Sequence, residues 1–266
     1  TSWEIPDFLG KELTGEVVGG SMLQIDGVTR QYELSDALKE QGVIFCDMHT
    51  AVTQHPDLVQ KYFMTDCVPV TEGKFAAMHG AFWRGGTFLY VPKNVKAVAP
   101  LHSVLWSVNG KTFTHTLVVL DEGSEAIFMD EYASANGEAA GLHNGVIELL
   151  VGDNASLIYA GLQDFGQNMW QFNHERGRVG RDGKLDWVTS MMGTRLTKAF
   201  QTLELDRPGA WGRMSGIFFT NGRQHLDLDT QQNHNAGDTV SDLLYKGALR
   251  EHSRTVWQGM IKALRG

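Results

Sequence analysis

The chain of 266 residues carries 23 Lys and Arg against 31 Asp and Glu, a formal charge of −8, with 42% apolar and 20% charged residues. Such a composition can bury a substantial core and excludes a disordered chain. It also excludes a membrane helix, since the best apolar run, Val146 to Val151, falls far short of roughly 20 residues and contains Glu148.

Taken from the N-terminus, Thr1-Ser2-Trp3-Glu4-Ile5-Pro6 has neither a basic nor an apolar stretch, so no secretory signal is expected. Two cysteines, Cys46 and Cys67, are too few for a disulfide framework and fit a reducing, cytoplasmic setting as buried core thiols. Residues 1–62 hold ten acids and four bases, and this acidic balance argues against a nucleic-acid partner. Ser35 to Gln41 reads as a short helix with Ser35 at the N-cap, Val43 to Cys46 as a strand, and His55 to Phe63 as a helix with Pro56 in its first turn. A loop from Met64 to Gly73 carries Pro69. These elements suggest a small α/β segment over 1–73, followed by a β-rich core over 74–266.

Beyond residue 80 the pattern becomes strand, Gly/Asp/Asn turn, strand. Val104 to Val108 and Lys111 to Val119 flank Asn109-Gly110, a dipeptide that predicts a two-residue hairpin because both positions tolerate positive φ. The stretch Val118 to Phe128 echoes Leu149 to Tyr159, 31 positions later, and Leu203 to Trp211 repeats the shape more loosely. Self-similarity of this kind predicts stacked coils, each covering the apolar face of its neighbour, with a β-sandwich as the competing architecture.

Familiar catalytic signatures are absent from the sequence. Gly110-Lys111-Thr112 ends like a phosphate loop, but Leu105 stands where the first glycine belongs. Arg176 to Gly183 is glycine-rich without a strand-to-helix context, and there is no Gly-x-Ser-x-Gly elbow. His49, His79, His102, His115 and His143 stand singly and read as hydrogen-bonded structural residues. The richest cluster is His225-Leu226-Asp227-Leu228-Asp229, where strand alternation puts His225, Asp227 and Asp229 on one face, with His234 five residues on. One imidazole and two carboxylates in line could bind a divalent metal, so a metal-dependent enzyme acting on a polysaccharide or small molecule is one expectation.

The end of the chain is the most distinctive part. Thr220 to His225, Gln232-Asn233-His234-Asn235-Ala236, Ser241-Asp242-Leu243-Leu244-Tyr245-Lys246-Gly247 and Arg254 to Ile261 resemble the core of the SufB/SufD family of iron–sulfur cluster assembly proteins. Gly42 to Phe45, Lys74 to His79, Tyr90 to Val95 and Asp121 to Ser124 extend the resemblance upstream, and Ser241 to Gly247 is closer to the SufD branch. The resemblance implies a right-handed parallel β-helix. It also implies a non-catalytic scaffold subunit that pairs with a SufB-like protein and the ATPase SufC. An iron–sulfur cluster would then be held only transiently in the complex, with no cofactor, flavin included, assigned to this chain alone. By the same resemblance His234, in the Gln-x-His segment, is the candidate interface ligand to iron or the cluster. The family continues past Gly266 into more β-helix and a helical domain that docks SufC, so the chain is expected to lack much of that surface and to pair with a second copy through exposed strand edges.

Overall fold

The computed structural model describes residues 18–108 and 110–264; the N-terminal residues read for a secretory signal, and Asn109, lie outside them. Among the described residues sixteen strands form two eight-stranded sheets. In chain order they are β1 (Gly20–Ile25), β2 (Val28–Leu34), β3 (Ile44–Asp47), β4 (Gly86–Val91), β5 (Lys96–Ser107), β6 (Lys111–Leu120), β7 (Glu125–Ser134) and β8 (Gly141–Val151). Then follow β9 (Ser156–Asp164), β10 (Met169–Val179), β11 (Lys184–Met191), β12 (Leu196–Leu205), β13 (Trp211–Thr220), β14 (His225–His234), β15 (Val240–Leu249) and β16 (Arg254–Ala263). From β4 onward even strands build one sheet and odd strands the other, each pairing in parallel with the strand two positions along. This is a parallel β-helix.

The coil period is the internal repeat made physical. Val118 pairs with Leu149 and Phe128 with Tyr159, so the 31-residue echo is the register between neighbouring coils. Like side chains therefore stack. Val91, Leu120, Val151, Val179 and Leu205 form one aliphatic ladder, and Phe128, Tyr159, Trp187 and Met214 face them from the other sheet. All nine belong to one buried cluster, whose removal from water is the main stabilising term. At one corner the chain turns through a column of left-handed residues, Asn94, Gly123, Asn154, Asp182, Gly209 and Asp238, the types that accept positive φ most readily.

The hairpin expected between β5 and β6 is not formed. The two strands lie in different sheets and pair with strands of neighbouring coils; Gly110, at φ 66°, instead turns the chain from one sheet to the other. The hairpin lies earlier, where Asp26 (φ 50°) and Gly27 (φ 79°) join antiparallel β1 and β2.

Four helices are present among the described residues: α1 (Asp36–Glu40), α2 (Met48–Gln54), α3 (Pro56–Tyr62) and α4 (Lys74–Phe82). The sequence reading anticipates α1 and α3 and misses the other two. Ser35 precedes α1 but makes no side-chain cap, whereas Asp47 caps α2 by accepting the Thr50 amide at 3.0 Å. A 3-10 turn, Val70–Glu72, falls within the expected loop. Met48, Ala51 and Val59 pack on Phe88, Leu117 and Val119, and so cover the outer face of β4 and β6. That cover explains why β6 and β8 are buried almost throughout, while the uncovered β12 alternates strictly between buried and half-buried residues.

Candidate functional site

Glu148 interrupts an apolar run because β8 presents it to the loop between α3 and α4. Its side chain is wholly buried, and it accepts the Met64 amide at 2.9 Å and the Val68 amide at 2.8 Å. Its Oε2 also lies 3.0 Å from His115 Nε2 on β6. His115 Nδ1 in turn meets His79 Nε2 of α4 at 3.2 Å, and His79 Nδ1 meets the Asn144 carbonyl at 3.2 Å. A carbonyl only accepts, so His79 donates through Nδ1 and accepts through Nε2; His115 therefore donates through Nδ1. Burial and the neighbouring His115 ring hold His79 neutral, lowering its pKa to about 3. The relay ties helix, loop and sheet together through hydrogen-bonded histidines.

The interior carries a second polar system. Asp130 on β7 accepts from Thr116 Oγ1 at 2.6 Å, Tyr132 Oη at 2.5 Å and Tyr159 Oη at 3.3 Å. Burial pushes its carboxyl up to about 6 despite those three donors. Glu175 on β10 accepts from Asn173 at 3.0 Å and Gln201 at 2.9 Å, and burial raises it too. Neither acid was singled out from the sequence. The signal available was inward parity: Asp130 lies two positions from Phe128, an interior residue, on an alternating strand.

His225, Asp227 and Asp229 do share the outer face of β14, as alternation requires, but Lys198 on β12 already neutralises the acids. Its Nζ lies 2.9 Å from Asp227 Oδ1 and 2.7 Å from Asp229 Oδ2. A lysine ammonium holds the place a metal would need, and no group of three His, Cys, Asp or Glu side chains among the described residues is arranged to hold a metal ion. His234 is not part of this row. Nine positions from His225, it falls by alternation on the side of Leu226 and Leu228.

His234 ends β14 half-buried, with both ring nitrogens engaged: Nδ1 with Thr239 Oγ1 at 2.7 Å and Nε2 with Ser241 Oγ at 3.0 Å. Because hydroxyls both donate and accept, they satisfy either neutral tautomer and fix the ring plane. Next to it, Asn233 and Asn235 donate to Glu204 at 2.9 and 2.8 Å, and Asn235 also donates to Asp206, which accepts Arg178 Nε at 2.7 Å. Asn233-His234-Asn235 is thus a hydrogen-bonded corner at the last coils, beside a buried Gln232 whose Nε2 has no partner among the described residues. Cys46 and Cys67 stand elsewhere: burial pushes the Cys46 thiol up to about 12 and the fully buried Cys67 well above its ordinary value, so both are core thiols rather than thiolates.

With this geometry in view, comparison with known proteins is decisive. The family model described as SufBD protein N-terminal region matches residues 20–102. The one described as SUF system FeS cluster assembly, SufBD core domain, matches residues 105–266. The chain belongs to the SufB/SufD family. Among its relatives are the iron–sulfur cluster assembly protein SufD of Bacillus subtilis strain 168, 32% identical over 92% of the chain. Iron–sulfur cluster assembly SufBD family proteins of Staphylococcus aureus strain USA300 and Staphylococcus saprophyticus are each 30% identical over 88%. The chain covers 56% of the first relative and 52% of the other two, about half their length. Within the SufB/SufD family it is SufD-like. No helix among the described residues is long and apolar enough to cross a membrane.

Proposed function

We propose that this SufD-like chain is a non-catalytic scaffold subunit that pairs with a SufB-like protein, and through that pair works with a SufC-like ATPase. The observation that carries the reading is the match of consecutive family models over residues 20–102 and 105–266. Iron and sulfide are cargo in this reading. His234 is its candidate ligand: a neutral imidazole nitrogen binds iron well, and exchanging the Ser241 hydrogen bond for a metal bond leaves Thr239 to orient the ring. Among the described residues the strands β15 and β16 each pair on one side only, with Val240, Leu244, Trp257 and Ile261 exposed, which supports self-association of the isolated chain.

Co-expression of the tagged chain with SufB-like and SufC-like proteins tests the reading, followed by iron and sulfide reconstitution of what is recovered. The expected outcome is a complex with the SufB-like protein for both wild type and His234→Ala, with cluster yield reduced in the variant. Recovery of no SufB-like protein overturns the scaffold assignment, and an unchanged yield removes His234 from it.

A further inference from the structure

A groove of about 570 Å³ lies at the corner where β10, β12, β14 and β16 begin, lined by Trp170, Arg195, Leu196, Arg223, Gln224, His225, His252 and Arg254. Its composition is unusual for a chain of net charge −8: three arginines, two histidines and no carboxylate. The neighbouring grooves mix acids with bases, as where Arg176 meets Glu72 and Arg178 meets Asp206. Here the cations are left open. Arg195 bonds the Arg223 carbonyl, while the side chains of Arg223, His225, His252 and Arg254 have no ion pair or hydrogen bond among the described residues.

The coil register gives the groove a direction. Trp170 pairs with Leu196, Leu196 with His225, and His225 with Arg254, so the four stand in one row along the helix axis. With strands about 4.8 Å apart, the row from Trp170 to Arg254 spans roughly 14 Å. Its first half is apolar and aromatic, with Trp170 44% exposed. The second half is cationic, with Arg223 and His252 flanking His225 and Arg254. A planar ring stacks on an indole, and forked guanidinium groups match phosphate oxygens. The volume is that of a small-ligand site.

We propose that this corner binds a nucleoside phosphate, with the base on Trp170 and Leu196 and the phosphates on Arg223, His225 and Arg254. The site stands apart from His234 and from the cluster-assembly reading, and neither depends on the other. An acidic peptide, the alternative anion, would leave the indole end unused.

Calorimetric titration of the chain with ADP, adenosine, inorganic phosphate and an oligo-aspartate peptide tests it. Expected is saturable ADP binding that weakens with salt, with adenosine and phosphate each at least about tenfold weaker. Arg223→Ala and Arg254→Ala should each cost about tenfold in ADP affinity, and Trp170→Ala about fivefold or more. Lys246→Ala, on β15 of the other sheet, should leave binding unchanged. These positions are exposed except His225, so the variants fold, as circular dichroism would verify. No saturable ADP binding below about 5 mM, or binding indifferent to both arginine variants, overturns the proposal. Oligo-aspartate binding more tightly than ADP with the same arginine dependence would assign the groove to an acidic protein partner instead.

Discussion

Replacing Glu148 with Gln isolates what the buried relay contributes. The side chain keeps its shape, and its amide oxygen can still accept the Val68 N–H. The new amide nitrogen, placed where Oε2 was, can donate to a neutral His115 Nε2, so that contact survives. The Met64 N–H, which bonded the same oxygen at 2.9 Å, then faces another donor and loses its partner. One stranded amide costs about 1–3 kcal/mol, and the Val68 bond loses its charge-assisted part, so the total is about 2–4 kcal/mol. Glu148→Ala, which strands both the Met64 and Val68 amides, should cost more, about 3–5 kcal/mol. Urea denaturation measures both, and amide exchange at Met64 and Val68 locates the effect in the loop after α3. A Glu148→Gln variant within about 0.5 kcal/mol of wild type, with Met64 as protected as before, would refute the reasoning.

Acid should destabilise the fold in a specific way. Burial lowers His79 and His143 to about 3 from 6.5, so the unfolded chain takes up protons first as pH falls below 6.5, and each histidine costs about tenfold in the folding constant per pH unit. Asp130, raised to about 6 from 3.8, acts oppositely: the penalty on its charged form is relieved between those values, returning about tenfold per unit. Asp130→Asn should therefore steepen the acid loss by about tenfold per pH unit between 6 and 4; urea midpoints that run parallel to wild type would contradict it. Gly86→Ala should cost at least about 3 kcal/mol, because Gly86 sits at φ 111° with its missing Cβ aimed at the His115 carbonyl; a thermal melt unchanged from wild type would refute this. Lys198→Met should cost only about 1 kcal/mol, since its partners Asp227 and Asp229 are about one-third exposed, and most of that should vanish in 1 M salt; a loss unaffected by salt would point to packing instead.

The sequence determined the period and the chemistry of the coils. Apolar residues recurring around Gly, Asp and Asn turns at a spacing near 30 point to stacked coils while a β-sandwich fits the same strand-and-turn pattern; the coil register decides between them, and the 31-residue echo survives as the pairing of Val118 with Leu149. The Gln-x-His tail was legible as a family motif, and His79, His102, His115 and His143 are hydrogen-bonded as their sequence setting suggests. The ambiguous signals were those whose meaning depends on what lies across space. As sequence signals Asn109-Gly110 and Asp26-Gly27 are near-equivalent, yet Asp26-Gly27 makes a hairpin while β5 and β6 stand in different sheets, because the strand paired with β5 arrives from another coil. The line of His225, Asp227 and Asp229 looks like a ligand set until Lys198, 29 residues before Asp227, arrives beside it through the coil register. Glu148 looks like a flaw in an apolar strand until the loop it anchors folds over it. A side chain's type is fixed by the chain; its partners are fixed by which coil stacks on which, since charge and hydrogen bonding are settled by neighbours tens of residues away.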